Sequence, residues 1–168
     1  MTLSTRGFTL AALACAAFAA LLFLPGLQGP FVLDDFSNIV ENPHLHVRSG
    51  DLGALLDAAF SPQPGSRTRV LPMLTFALDH MRAGGLDPAT FKATNIAIHA
   101  LTTLALTWFL RDLLLLAGIT RTRASVAALG LSFAWAAHPL QVSSVLYVVQ
   151  RMQTMATFFI VLALWAYL

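Results

Sequence analysis

The chain has 168 residues, 57% of them hydrophobic and 11% charged, with a formal net charge of +2. A soluble domain carries about 25% charged residues, so these proportions, with a mean hydropathy of +0.72, exclude an ordinary water-soluble globule and indicate an integral membrane protein. The basic residues form no runs, which argues against nucleic acid as a partner, and the lone Cys15 excludes an internal disulfide and any multi-cysteine metal site.

The first apolar run, FTLAALACAAFAALLFLPGL at 8–27, carries no charge. A helix of that length spans about 30 Å, the thickness of a hydrocarbon core. A cleaved signal peptide is the alternative. Against it, the run exceeds a usual signal's apolar region, and LPGLQG is a poor small-x-small cleavage site. An uncleaved span is expected.

Residues 28–91 differ in composition. Of the 8 acids in the chain, all but Asp112 lie here: Asp34, Asp35, Glu41, Asp51, Asp57, Asp79 and Asp87. Prolines 30, 43, 62, 64, 72 and 88 fall here too. This segment is expected to be a water-facing external loop with short amphipathic helices along the membrane surface. In one, Leu52, Leu55, Leu56 and Phe60 fall near helical spacing, with Ser49 or Asp51 as N-cap. In the other, Val70, Leu71, Leu74, Leu78 and Met81 share a face, Pro72 sits in the first turn and Gly84–Gly85 ends the helix.

A second apolar run covers 93–112 and a third 122–138. Pro139 disfavours helical geometry at His138 and removes a backbone donor, so the third run should end there. Val142, Val145, Leu146 and Val149 then recur with helical spacing, predicting an interfacial helix over 139–151 before a last run at 152–168. The expected architecture is an all-α, polytopic single transmembrane region over 1–168 with about four spans. Arg6, Arg111, Arg121 and Arg123 share one side, which the positive-inside rule makes cytoplasmic. The acidic loop and the 139–151 segment then share the opposite side, the periplasm if the membrane is a bacterial inner membrane. Asn95 and His99, one turn apart in the second run, are expected to hydrogen-bond between helices.

In order, the FVLDDFSNIVENP, RTRVLPMLTFALDH, FKATNIAIHA and HPLQVSSVLYVVQRM stretches that follow the first span resemble the start of GT-C membrane glycosyltransferases. The likeness is greatest to the transmembrane and tetratricopeptide-repeat O-mannosyltransferases and their bacterial relatives, and HPLQVSSVLYVVQR carries most of it. It implies the N-terminal part of a longer fold. It also implies sugar transfer from a polyprenyl-phosphate donor to a protein or glycan hydroxyl on the non-cytoplasmic face, using a carboxylate from an acidic pair in the first external loop. Asp34 and Asp35 match that pair, and a divalent metal at the lipid phosphate is left open.

The residue types suit that chemistry. A carboxylate at the membrane surface can take the proton of an attacking hydroxyl, and Asp34 is the candidate base, with Asp35 orienting the acceptor or polarising its neighbour. The plainer alternative is that DDFSN caps a helix or forms an Asx-turn on leaving the membrane. A lipid phosphate suits an arginine fork. Arg151 is the first candidate, with Arg67 and Arg69 behind it; ordinary contact with anionic headgroups is the alternative for each. His138 has two roles open to it, a ligand to acceptor or phosphate and a helix cap. His44 and His46 lack the further ligands a metal site needs. The rivals to a transferase are a non-catalytic membrane scaffold and, behind it, a transporter fragment, which predicts more ionisable groups inside the spans.

Overall fold

The computed structural model describes residues 4–48, 50–61 and 69–168. All regular structure among them is helical: α1 (Thr5–Phe23), α2 (Leu52–Ala59), α3 (Val70–Ala83), α4 (Pro88–Leu116), α5 (Arg121–Ala136), α6 (Gln141–Leu146) and α7 (Arg151–Tyr167). Three helical stretches, Thr5–Gly26, Pro88–Leu116 and Val148–Tyr167, are long and apolar enough to cross a membrane. By length and composition the chain is an integral membrane protein.

The fourth expected span, at 122–138, is α5. At 16 residues it is shorter than those three stretches and is not among the helices long and apolar enough to cross; it reaches about 24 Å at 1.5 Å per residue. It packs between α4 and α1.

α4 is the central element, touching α1, α3, α5, α6 and α7. It starts earlier than its apolar run. Asp87 accepts from the backbone N–H groups of Ala89 and Thr90 at 3.3 and 3.0 Å, and Pro88 occupies the first helical position, where its missing N–H costs nothing. At 29 residues α4 extends about 44 Å, longer than a hydrocarbon core is thick. Near its N-terminal end, at Phe91, it joins the segment that follows α1.

That segment is more organised than a loose loop. Ile39, Leu45, Val47, Ala58, Met73, Phe76 and Ala77 form one buried cluster with Phe91 of α4 and with Val148 and Val149. It is a packed cap that shares its core with the bundle. Asp51 is the N-cap of α2, accepting from Ala54 N–H at 3.1 Å. Gly84 ends α3 as expected, at φ 70°, in the left-handed region that favours glycine.

The faces of the two short helices differ from expectation. In α3 the face turned inward carries Met73, Phe76, Ala77 and His80, while Leu71 and Leu78 are exposed. In α2 the buried residues are Ala58 and Ala59, and Leu52, Leu56 and Phe60 are exposed. Each helix has a second apolar face, and the more obvious stripe is left partly outside, with Leu55 packed on the cap core and Val70, Leu74 and Met81 half-buried. The interfacial helix expected over 139–151 is also broken. α6 ends at Leu146, Tyr147 is extended (φ −87°, ψ 113°), and a 3-10 turn at Val148–Gln150 leads directly into α7.

Candidate functional site

The chain leaves α1 through a turn at Leu24–Gly26. A side chain at Gly26 would lie 2.1 Å from Leu146 Cδ1, so glycine lets the exit of α1 press on α6. Lys92, buried on α4, holds the exit from the other side: Nζ donates to the carbonyls of Gly29 at 2.6 Å and Gly26 at 3.3 Å.

The backbone then becomes unusual around the paired acids. Leu33 has φ 45°, in the left-handed region costly for a branched residue, and Phe36–Val40 forms a π-helical turn. Both features recur at functional sites, where surrounding structure holds them in place. Here the holding contacts come from the 147–149 segment. Asp34 N–H donates to Tyr147 Oη at 2.8 Å, and Val149 N–H donates to Asp35 Oδ1 at 2.7 Å. Val32 N–H donates to Asp35 Oδ2 at 3.0 Å.

The two acids therefore have different surroundings. Asp35 is fully buried and spends both oxygens on backbone donors. Burial holds its carboxyl above the ordinary carboxylate range, against the lowering effect of the Val32, Val149 and Val148 amides and the Lys92 charge. Asp34 is exposed, and its carboxylate makes no hydrogen bond or ion pair with a described residue. Its backbone carbonyl accepts from Asn38 Nδ2 at 2.8 Å. Asp34 thus has a fixed backbone and an uncommitted carboxylate.

Arg151 has no exposed surface and stands at the start of α7. Nε donates to Asn95 Oδ1 at 2.7 Å, Nη1 to Thr75 Oγ1 at 3.2 Å and Nη2 to the Phe91 carbonyl at 2.7 Å. Asp79 Oδ2 is ion-paired to Nη2 at 2.6 Å, and the guanidinium lies 4.4 Å from the Phe76 ring centroid. Asp79 also meets Arg82 at 3.0 Å and accepts from Thr94 at 2.7 Å. Residues of α3 and α4 engage all three guanidinium nitrogens, and this geometry ties these helices to α7. This corrects the expectation of a free fork for a phosphate.

Asn95 completes the knot. Its Nδ2 donates to the carbonyls of Val145 at 3.1 Å and Val148 at 3.2 Å, while its oxygen takes the Arg151 proton. It bonds between elements as the sequence predicts. So does His99, whose Nε2 is 3.0 Å from the Ala136 carbonyl of α5.

His138 is exposed, and its Nδ1 accepts from Leu140 N–H at 3.2 Å within the turn that precedes α6. Arg69 is half-buried at the N-terminus of α3, and Arg67 lies outside the described residues. His44 pairs with Asp57 at 2.6 Å, and His46 stacks on His80. Among the described residues no three His, Cys, Asp or Glu side chains are grouped to hold a metal, and the committed oxygens of Asp35 do not favour one at the acidic pair.

The sequence offers less warning of Asp79, Lys92 and Tyr147. The signal for the first two is an ionisable residue within an apolar helical run, which needs a partner. Comparisons with known protein families, with curated proteins and with solved structures returned no significant match.

Proposed function

We propose that this chain is the membrane region of a GT-C-like glycosyltransferase, with Asp34 as the general base. The acceptor hydroxyl would attack the anomeric carbon of a sugar on a polyprenyl phosphate. Its proton passes to the Asp34 carboxylate while the bond from that carbon to the phosphate oxygen breaks, leaving polyprenyl phosphate. The observation that carries this reading is the junction of the acidic turn with the 147–149 segment, which fixes the Asp34 backbone and leaves its carboxylate open. Asp35 is then a positioning residue, and so is Arg151.

The donor would lie against α3 and α7. Val70, Leu71, Pro72, Met152, Met155 and Phe159 line an open apolar groove of about 330 Å³. Arg69 directly precedes it in sequence, and such a groove suits a prenyl chain with its phosphate beside a guanidinium.

The topology supports four crossings, with α5 the shortest. α4 runs from the cap to Leu116. The chain returns to the cap by Val148 and Val149, and the end of α5 packs on His99 near the cap end of α4. Leu116 to His99 is about 26 Å along α4, and the about 24 Å of α5 together with the turn residues at its ends spans it. With Arg6, Arg121 and Arg123 inside, the N-terminus is cytoplasmic and the cap periplasmic in a bacterial inner membrane. The test is transfer of labelled sugar from polyprenyl-phosphate hexoses by membranes carrying the protein. Transfer that is lost in Asp34→Asn supports the reading; transfer by that variant at the wild-type rate removes it.

A further inference from the structure

A second feature lies at the other end of the 141–147 segment. Gln141 and Ser144 of α6 enclose a cavity of about 210 Å³ with His99 and Thr102 of α4, Trp135 of α5 and Thr154 of α7. Gln153 and Thr157 complete its wall, and no lining side chain is charged. The volume is below the ~300 Å³ at which drug-sized sites begin, so it suits one small ring.

Part of this wall offers acceptors only, and part offers donors as well. Thr102, Thr154 and Thr157 each give their hydroxyl proton to a carbonyl of their own helix, at 2.8, 3.1 and 2.9 Å. They offer the cavity lone pairs only. A neutral His99 must donate through Nε2 to the Ala136 carbonyl, which makes Nδ1 an acceptor. The Gln141 and Gln153 amides and the Ser144 hydroxyl make no side-chain hydrogen bond to a described residue. Trp135 adds an aromatic face and stacks on His99, with ring centroids 5.1 Å apart.

We infer that this cavity binds an uncharged, hydroxyl-rich ring, such as a hexose, supplied free or as a glycolipid headgroup. The wall presents lone pairs from Thr102, Thr154, Thr157 and His99 together with the N–H and O–H groups of Gln141, Gln153 and Ser144, so it needs a ligand that both donates and accepts, as hydroxyls do. A desolvated ammonium would also donate, but burying a charge requires a compensating carboxylate, and the wall has none. A hexose ring satisfies the lone pairs with its hydroxyls and lays its C–H face on Trp135. Binding here stands on the cavity alone, so it holds or fails separately from transfer at Asp34.

The test uses the protein in phosphatidylcholine nanodiscs, which contain no sugar, with tryptophan fluorescence as the signal. Methyl glucoside, octyl glucoside below its micellar concentration and tetramethylammonium are titrated. A saturable change with methyl glucoside identifies a free sugar, and one with octyl glucoside alone identifies a lipid headgroup. Either supports the site if Trp135→Phe removes the signal and Gln141→Leu or Thr102→Val weakens binding about tenfold, the scale of one lost hydrogen bond. Ser144→Ala with Gln153→Leu substitutes for any variant whose circular dichroism departs from wild type. Asp34→Asn should bind as wild type does. No saturable change with either glucoside, an equal response to tetramethylammonium, or undiminished affinity in the cavity variants would overturn the inference.

Discussion

Val149 N–H reaches the Asp35 carboxylate at 2.7 Å across 114 residues of sequence. Through this bond the exit of α1 and the entry of α7 form one structure, and Asp34 is exposed beside it. Replacing Asp35 by Ala leaves the buried Val149 N–H unpaired, at a cost of about 1–3 kcal/mol. Asp35→Ala should therefore lower the thermal midpoint in detergent, whereas Asp34→Ala should leave it unchanged. Equal midpoints for the two variants would contradict the division of roles.

Arg151 should behave as a structural clamp. Removing one partner of a buried ion pair costs about 3–5 kcal/mol, so Arg151→Met and Asp79→Leu should each destabilise strongly. The double variant should recover much of the loss, because no uncompensated charge remains. Denaturation midpoints of the four proteins measure this coupling; additive losses would show that the pair is not energetically linked. Arg151→Lys should lower stability as well, since an ammonium cannot reproduce the fork to Asn95, Thr75 and Phe91.

The pH dependence has a defined sign. Burial raises the folded pKa of Asp35 above its ordinary 3.8, so the folded state binds more protons than the unfolded state in that interval. Stability should fall as pH rises from 3.8 through the raised value. Asp87 is the opposite case: hydrogen bonds centred on Thr90 lower its pKa below 3.8, and its contribution is present above 3.8 and lost as pH falls through the lowered value. Melting curves of Asp35→Asn should lack the decline on the alkaline side of 3.8 that wild type is expected to show. A variant curve parallel to wild type would exclude Asp35 as its origin.

The crossing count can be measured directly. Single cysteines in a Cys15→Ser background at Thr120 and at the exposed Leu140, which flank α5, should be labelled from opposite sides by an impermeant maleimide, Thr120 from the cytoplasmic side. Labelling from the same side would remove α5 as a crossing.

Much of the framework is legible in the sequence because apolar length and turn chemistry are local. The first span, the glycine that ends α3 and the Asp51 cap are all visible this way. The Asp87–Pro88 start of α4 has the same kind of signal, although the apolar run begins later. The inward faces of α2 and α3 are not visible, because each helix carries two apolar faces and periodicity cannot say which one the cap buries. Tyr147 interrupts a regular helical spacing because the carbonyls of Val145 and Val148 turn toward Asn95, a partner 50 or more residues away. Arg151 reads as a phosphate ligand for the same reason: its four partners come from α3 and α4. Proximity of the acids to the 139–151 segment follows from topology alone, and the structure brings the two together.

The most direct test measures polyprenyl-phosphate-dependent sugar transfer and thermal midpoint on the same membrane preparations of wild type, Asp34→Asn and Asp35→Asn. The account predicts that Asp34→Asn loses transfer at a wild-type midpoint, while Asp35→Asn loses stability. Transfer retained by a folded Asp34→Asn protein would contradict it.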